Sequence, residues 1–167
     1  MSTSSRPRPG EPFERVVAAH GTTVWRVCRG LLQQHDAEDA WSETFLAALA
    51  AWPRLEPAAN VQGWLVTIAH RKAIDVLRAR SRAAVPTADV PERASPHGLP
   101  GSRDLDLWDA LAALPPRQRA AVVHHHLGGL AFAEVAALTD TTPVAARKAA
   151  SDGVQRLRVV LAGKETT

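Results

Sequence analysis

Between Ser81 and Arg103 the chain reads SRAAVPTADVPERASPHGLPGSR, with four prolines, two glycines and no apolar periodicity. Proline lacks a backbone donor and clashes with the preceding helical turn, so a helix cannot run through such a stretch. The segment reads as a flexible linker, and it divides the 167 residues into two pieces. Each piece holds roughly 70 residues, a size at which a core is small and a partner surface contributes to stability. Both pieces are rich in helix formers. Alanine supplies much of the 46% apolar content, aromatics are 5%, and Tyr is absent. The expected fold is all-α, with two small helical domains and a flexible linker. The boundaries are a disordered lead over 1–11, a first domain over 12–82, the linker over 83–103, a second domain over 104–162 and a tail over 163–167.

Several function classes are disfavoured at once. Cys28 is the only cysteine, so neither an intrachain disulfide nor a Cys-based zinc site can form, and Cys28 is expected to be a small buried residue. No stretch approaches the ~20 apolar residues of a membrane span. The polar, Pro-rich start MSTSSRPRPGEP has no apolar signal core, so a cytoplasmic protein is expected. No nucleophile–base pairing, Gly-rich phosphate loop or metal-ligand spacing stands out, so neither an enzyme nor a cofactor is expected.

In the first piece Phe13, Val16, Val17, Val24, Val27 and Leu31 form an amphipathic stripe, with Gly21 a candidate break into two helices. Asp36 is a candidate N-cap, with Glu38 and Asp39 in the following turn. Ala40, Trp41, Thr44, Phe45, Ala48 and Leu49 then repeat at helical spacing until Pro53. Asn60 can cap a long helix from Val61. These two helices have opposite charge. Residues 36–52 carry Asp36, Glu38, Asp39 and Glu43 without Lys or Arg, whereas residues 61–82 carry Arg71, Lys72, Arg78, Arg80 and Arg82 against Asp75. A basic surface suits phosphate, and an acidic one suits a basic protein.

The second piece opens with Leu105, Trp108, Leu111, Ala112 and Leu114, and helices are expected at about 116–127, 131–138 and 142–160. Asp140 sits where a turn needs a left-handed backbone, Thr142 is an N-cap, and Pro143 is a first helical residue. Ala146, Ala150, Val154 and Leu157 share one face of the last helix, while Ala145, Arg147, Lys148, Ser151 and Asp152 share another. The pair reads either as a helix-turn-helix, whose second helix would enter a DNA major groove, or as a plain helical hairpin with a solvated basic face. The run His124, His125, His126 points in three directions on a helix, so the three cannot chelate one ion together.

Three segments, DAEDAWSETFLAALAAWPRL, NVQGWLVTIAHRKAIDVLRARSR and LWDALAALPPRQRAAVVHHHLGGLAFAEVAAL, resemble a bacterial RNA polymerase sigma factor of the extracytoplasmic-function (ECF) group. The resemblance extends in order and spacing over about residues 12–161. It implies a sigma region 2 helical bundle and a sigma region 4 helix-turn-helix. It also implies core RNA polymerase and promoter DNA as partners, with an anti-sigma factor as a further one, and a nucleoid-associated place in the cytoplasm. Asp39, Trp41, Ser42 and Glu43 then correspond to the segment that docks on the β′ clamp helices, with Phe45 in the core. Arg54, Asn60, Trp64, His70, Arg71, Lys72, Arg78, Arg80 and Arg82 correspond to the −10 element reader, with Asp75 orienting arginines. Thr142, Val144, Ala145, Arg147, Lys148 and Ser151 correspond to the −35 reader, in a domain that also meets the β flap. The chain departs from the family in having Ser42 where Gln is usual, and Ala149 and Asp152 where basic residues are common. A stand-alone helix-turn-helix regulator and a degenerate sigma homologue that does not activate polymerase are the alternatives, and polymerase binding separates them.

Overall fold

The computed structural model describes residues 10–83 and 102–166, with side chains from Leu105 onward in the second segment. Most of the lead and linker expected from the sequence lies outside the described residues. Seven α-helices are present among the described residues, and no strand. They are α1 (Phe13–Leu31), α2 (Gln34–Ala51), α3 (Val61–Arg82), α4 (Ser102–Ala112), α5 (Pro116–Val122), α6 (Phe132–Thr139) and α7 (Pro143–Glu165). A 3₁₀ turn, Trp52–Arg54, follows α2, and a π-helical turn, Val123–Leu127, follows α5.

The first three helices pack on one another. Val16, Val24, Val27 and Cys28 of α1 meet Leu65, Val66, Ala69 and Ala73 of α3 in a core closed to solvent. Burying one such Leu or Val contributes about 1.5–3 kcal/mol. Cys28 is buried as expected, and desolvation pushes its thiol up to about 12, so it is an inert core residue. An aromatic cluster closes one end. Phe13 meets Phe45 and Trp52 edge-on, Trp41 tilts against Phe45, and Trp52 lies 6.2 Å from Trp64. The Trp52 indole N–H donates to the Glu11 carbonyl at 2.9 Å, which ties the start of the described chain to this cluster.

Helix starts follow their caps where caps exist. Asn60 Oδ1 accepts from Gly63 N at 3.2 Å and starts α3. Thr142 Oγ1 accepts from Ala145 N at 3.1 Å, and Pro143 is the first residue of α7. Asp140 adopts the left-handed conformation at φ 53°, ψ 53° between α6 and α7. At the start of α6, Glu134 accepts the Ala131 N–H at 2.8 Å.

Four expectations are corrected. Gly21 does not break α1, which is continuous. Its carbonyl accepts the Trp41 indole N–H at 2.9 Å, and that ring fills the space beside it. Helix α2 begins two residues before Asp36, with Gln33 as its uncapped N-cap, so Asp36 lies in the first turn and not at the cap. The helix expected over 116–127 changes at Val123 from α to a π turn, and α7 continues past position 160 to Glu165.

The second unit packs on the first through α1, which touches α4, α5 and the π turn. Gly30 permits this approach: a β-carbon there would lie 2.7 Å from Val123 Cγ2. Arg119 Nε donates to the Gly30 carbonyl at 2.6 Å, and Gln62 Nε2 donates to the Gly128 carbonyl at 3.0 Å. Arg29, nearly buried, stands 5.6 Å above the Trp108 ring.

Candidate functional site

Helix α2 presents one exposed surface away from the core. Asp39, Ser42 and Glu43 lie on it, and Leu46 and Leu49 continue it with 66% and 51% of their surface open. The sequence pattern assigned Leu49 to the apolar stripe and overlooked Leu46. The structure buries Ala37, Ala40, Thr44, Phe45 and Ala48 and leaves both leucines outside. Trp41 stands apart from this surface: it is half-buried, its N–H is spent on Gly21, and its ring packs on Phe45. Phe45 is in the core, as expected.

The acidic and basic surfaces are not separate, because α2 and α3 lie side by side. Arg80 pairs with Asp36 at 2.6 Å and Lys72 with Glu43 at 3.5 Å. The hydrogen bond to Asp36 holds the Arg80 pKa above its ordinary value. Arg80 and Glu43 are exposed while Asp36 and Lys72 are partly covered, so these pairs at the helix edges contribute modestly to stability and can exchange for other partners. Beyond them Arg71, Arg78 and Arg82 are exposed along α3, with Arg54 exposed at the end of the 3₁₀ turn. Asn60 spends Oδ1 on the helix cap. Trp64 is half-buried in the aromatic cluster beside Trp52.

His70 is drawn into the contact between the two units. Its Nδ1 lies 2.8 Å from Nε2 of His124 in the π turn, and the rings meet edge-on. One nitrogen of this pair must donate and the other accept, so at least the accepting ring is neutral and a single proton lies between them. His124 is closed to solvent, its Nδ1 has no partner among the described residues, and desolvation, aided by the neighbouring His70, lowers its pKa to about 3. His70 is lowered too, chiefly by burial, with a Leu138 backbone hydrogen bond acting against this and Arg71 acting with it. Beside the pair a cleft of about 290 Å³ is lined by Arg71, Ile74, Asp75 and Arg78 of α3 and by Ala137 and Leu138 of α6. One edge of the expected −10 reading helix therefore faces the second unit.

The start of α7 is open. Val144 is 81% exposed, and Thr142, Ala145, Arg147, Lys148 and Ser151 are exposed with it. Lys148 bonds Asp152 one turn on at 2.9 Å. Arg147 rests its guanidinium 5.3 Å from the Phe132 ring. The three histidines diverge as expected: His124 is buried, His125 half-buried and His126 exposed. No group of three or more metal-ligating side chains converges among the described residues. No described helix is long and apolar enough to cross a membrane.

Comparison with known proteins agrees with this geometry. The Sigma-70 region 2 family model matches residues 16–83, and the Sigma-70 region 4 model matches residues 104–157. The chain is 32% identical to the RNA polymerase sigma factor CarQ of Myxococcus xanthus over 161 residues, covering 90% of each protein. It is 30% identical to the ECF RNA polymerase sigma factor SigC of Mycobacterium tuberculosis over 146 residues, covering 83% of this chain and 77% of that one. Among solved structures, the sigma factor RpoE of Bartonella quintana, in complex with the anti-sigma factor NepR, superposes with a TM-score of 0.72 over 89% of this chain and 96% of that one at 23% identity. CnrH, in complex with the cytosolic domain of CnrY, superposes with a TM-score of 0.62 over 90% of this chain and 88% of that one at 22% identity. At these identities the structural likeness establishes the fold.

Proposed function

This chain belongs to the ECF group of RNA polymerase sigma factors, and from that premise we propose how its surfaces divide the work of transcription initiation. The protein binds core RNA polymerase and directs it to promoters. The first domain, over 12–82, docks through α2 on the β′ clamp helices. Asp39, Ser42 and Glu43 supply the polar part of that contact, and Leu46 and Leu49 its apolar centre. Trp41 holds the docking helix in place from the core side.

The observation that carries this reading is the combination on α2 of exposed carboxylates with two leucines open by 66% and 51%. An apolar patch bordered by charge marks a protein interface. Glu43 gives up Lys72 for a basic polymerase residue at modest cost, because the pair lies at the helix edge.

On α3 and the turn before it, Arg54, Asn60, Trp64, His70, Arg71, Lys72, Arg78, Arg80 and Arg82 form the −10 surface. The arginines and Lys72 follow the phosphates, and Trp64 anchors the strand-opening end from the aromatic cluster. On α7, Thr142, Val144, Ala145, Arg147, Lys148 and Ser151 form the −35 surface in the second domain, over 104–162, which also meets the β flap. Bond chemistry stays with the polymerase, and the protein works in the cytoplasm at the nucleoid. The packed arrangement, with His70 against His124, is the form an anti-sigma partner would hold, since the RpoE structure on which this chain superposes is in complex with the anti-sigma factor NepR.

Charge reversal of Asp39 and Glu43 to Lys tests the docking assignment. Affinity for core polymerase is expected to fall about tenfold or more, because like charges meet across the contact. Unchanged affinity would remove α2 from the interface.

A further inference from the structure

The recognition helix of this chain is sparsely basic, and one of its two leading cations is already engaged, since Lys148 pairs with Asp152 at 2.9 Å. The other, Arg147, is held differently. Its guanidinium carbon stands 5.3 Å from the centre of the Phe132 ring at the start of α6. The same ring stacks on His125, with centroids 3.9 Å apart and planes 17° from parallel. His125 is itself fixed: its Nδ1 lies 2.8 Å from the Leu130 carbonyl. A carbonyl only accepts, so His125 carries its proton on Nδ1 and the ring cannot turn without losing that bond. His126 meets the His125 ring edge-on at 4.8 Å and closes the other side of the histidine run. Three elements thus build a column of Leu130 carbonyl, His125, Phe132 and Arg147.

We propose that His125 and Phe132 are positioning residues for Arg147, holding its guanidinium plane ready for one base pair of the −35 element. The inference rests on the reading that α7 faces −35 DNA. A free arginine loses ~2 kcal/mol of side-chain entropy when its head is fixed, and a planar fork already seated on an aromatic face loses less. Base readout by arginine depends on orientation, because a guanine offers two acceptors in one plane. A platform beneath the guanidinium therefore adds discrimination as well as affinity. It also gives His125 a defined place in DNA recognition.

The test uses the full chain reconstituted with bacterial core polymerase. The probe is a duplex library with a randomised −35 segment upstream of a fixed −10 element, and the readout is enrichment at each base position. Arg147→Ala should flatten preference at one or two positions. Phe132→Leu, which keeps apolar bulk but removes the aromatic face, should weaken preference at those same positions by ~2- to 5-fold, the value of an exposed cation–π contact. Phe132→Tyr should restore it. His125→Ala should act in the same direction as Phe132→Leu, and it keeps the test open if the leucine variant folds poorly. Preference at other positions should be unchanged in all of these. If Phe132→Leu and His125→Ala leave the Arg147 positions as sharp as wild type, the column is packing alone and the inference is wrong. If Arg147→Ala itself changes no position, the reading of α7 falls and the column loses its purpose with it.

Discussion

Acid should loosen the packing of the two domains through His124. This imidazole is closed to solvent, and its pKa is near 3, against 6.5 for an exposed histidine. A group whose pKa is depressed in the packed form binds more protons when released, so its stabilising effect is full above pH 6.5 and is lost as pH falls toward 3. Proton linkage across that window costs the packed form about 2 kcal/mol by pH 5 and roughly 4 kcal/mol by pH 3. The neighbouring groups bear on the size but not the sign. His70 is lowered in the same direction, and Arg71 beside it opposes further positive charge. The assay compares thermal melting of wild type and His124→Leu at pH 8 and pH 5. Leucine fills the site without titrating, and half-buried His70 can turn its Nδ1 to water. For a chain of this size the wild type should lose about 4–8 °C more than the variant between the two pH values. Equal losses would show that His124 is not carried neutral in the packed form, and the argument from its burial would fail.

Other expectations concern the same surfaces. Gly30→Ala places a methyl 2.7 Å from Val123 Cγ2, a stiff β-branched group, and should lower the denaturant midpoint by the equivalent of ~1–3 kcal/mol; an unchanged midpoint would mean the domains separate freely at that contact. Leu46→Asp with Leu49→Asp should leave the melting temperature nearly unchanged, since exposed substitutions shift stability by only about 0.5 kcal/mol each, while core-polymerase binding measured by competition is strongly reduced.

The sequence was most legible where a local rule acts alone. Asn60, Asp140 and the Thr142–Pro143 pair each announce a helix start or turn through their own backbone chemistry, and each is found in that role. It was less legible where tertiary packing overrides a local signal. Gly21 is a helix breaker by propensity, at a cost of ~1 kcal/mol, but Trp41 covers it and bonds its carbonyl. The start of α2 carries no side-chain cap, and it is set by burial of Ala37 rather than by Asp36. The π turn over Val123–Leu127 has no sequence signature, because it follows from docking His124 on His70 and from the close approach of Gly128 to Val66 and Val27. At the candidate site, the opposite charges of α2 and α3 were evident. Their pairing through Asp36–Arg80 and Glu43–Lys72 was not, because it depends on how two helices lie together. Leu46 and Leu49 were hidden for a related reason: an apolar residue next to a core stripe looks like part of it until the helix is oriented.

The central claim is that the outer surface of α2 joins this chain to core RNA polymerase. Sizing chromatography of the purified full chain with bacterial core polymerase, run beside the Asp39→Lys, Glu43→Lys variant, tests it most directly. The account predicts that the wild type co-elutes with the polymerase at micromolar concentration and the variant does not. Co-elution of both, or of neither, would contradict it.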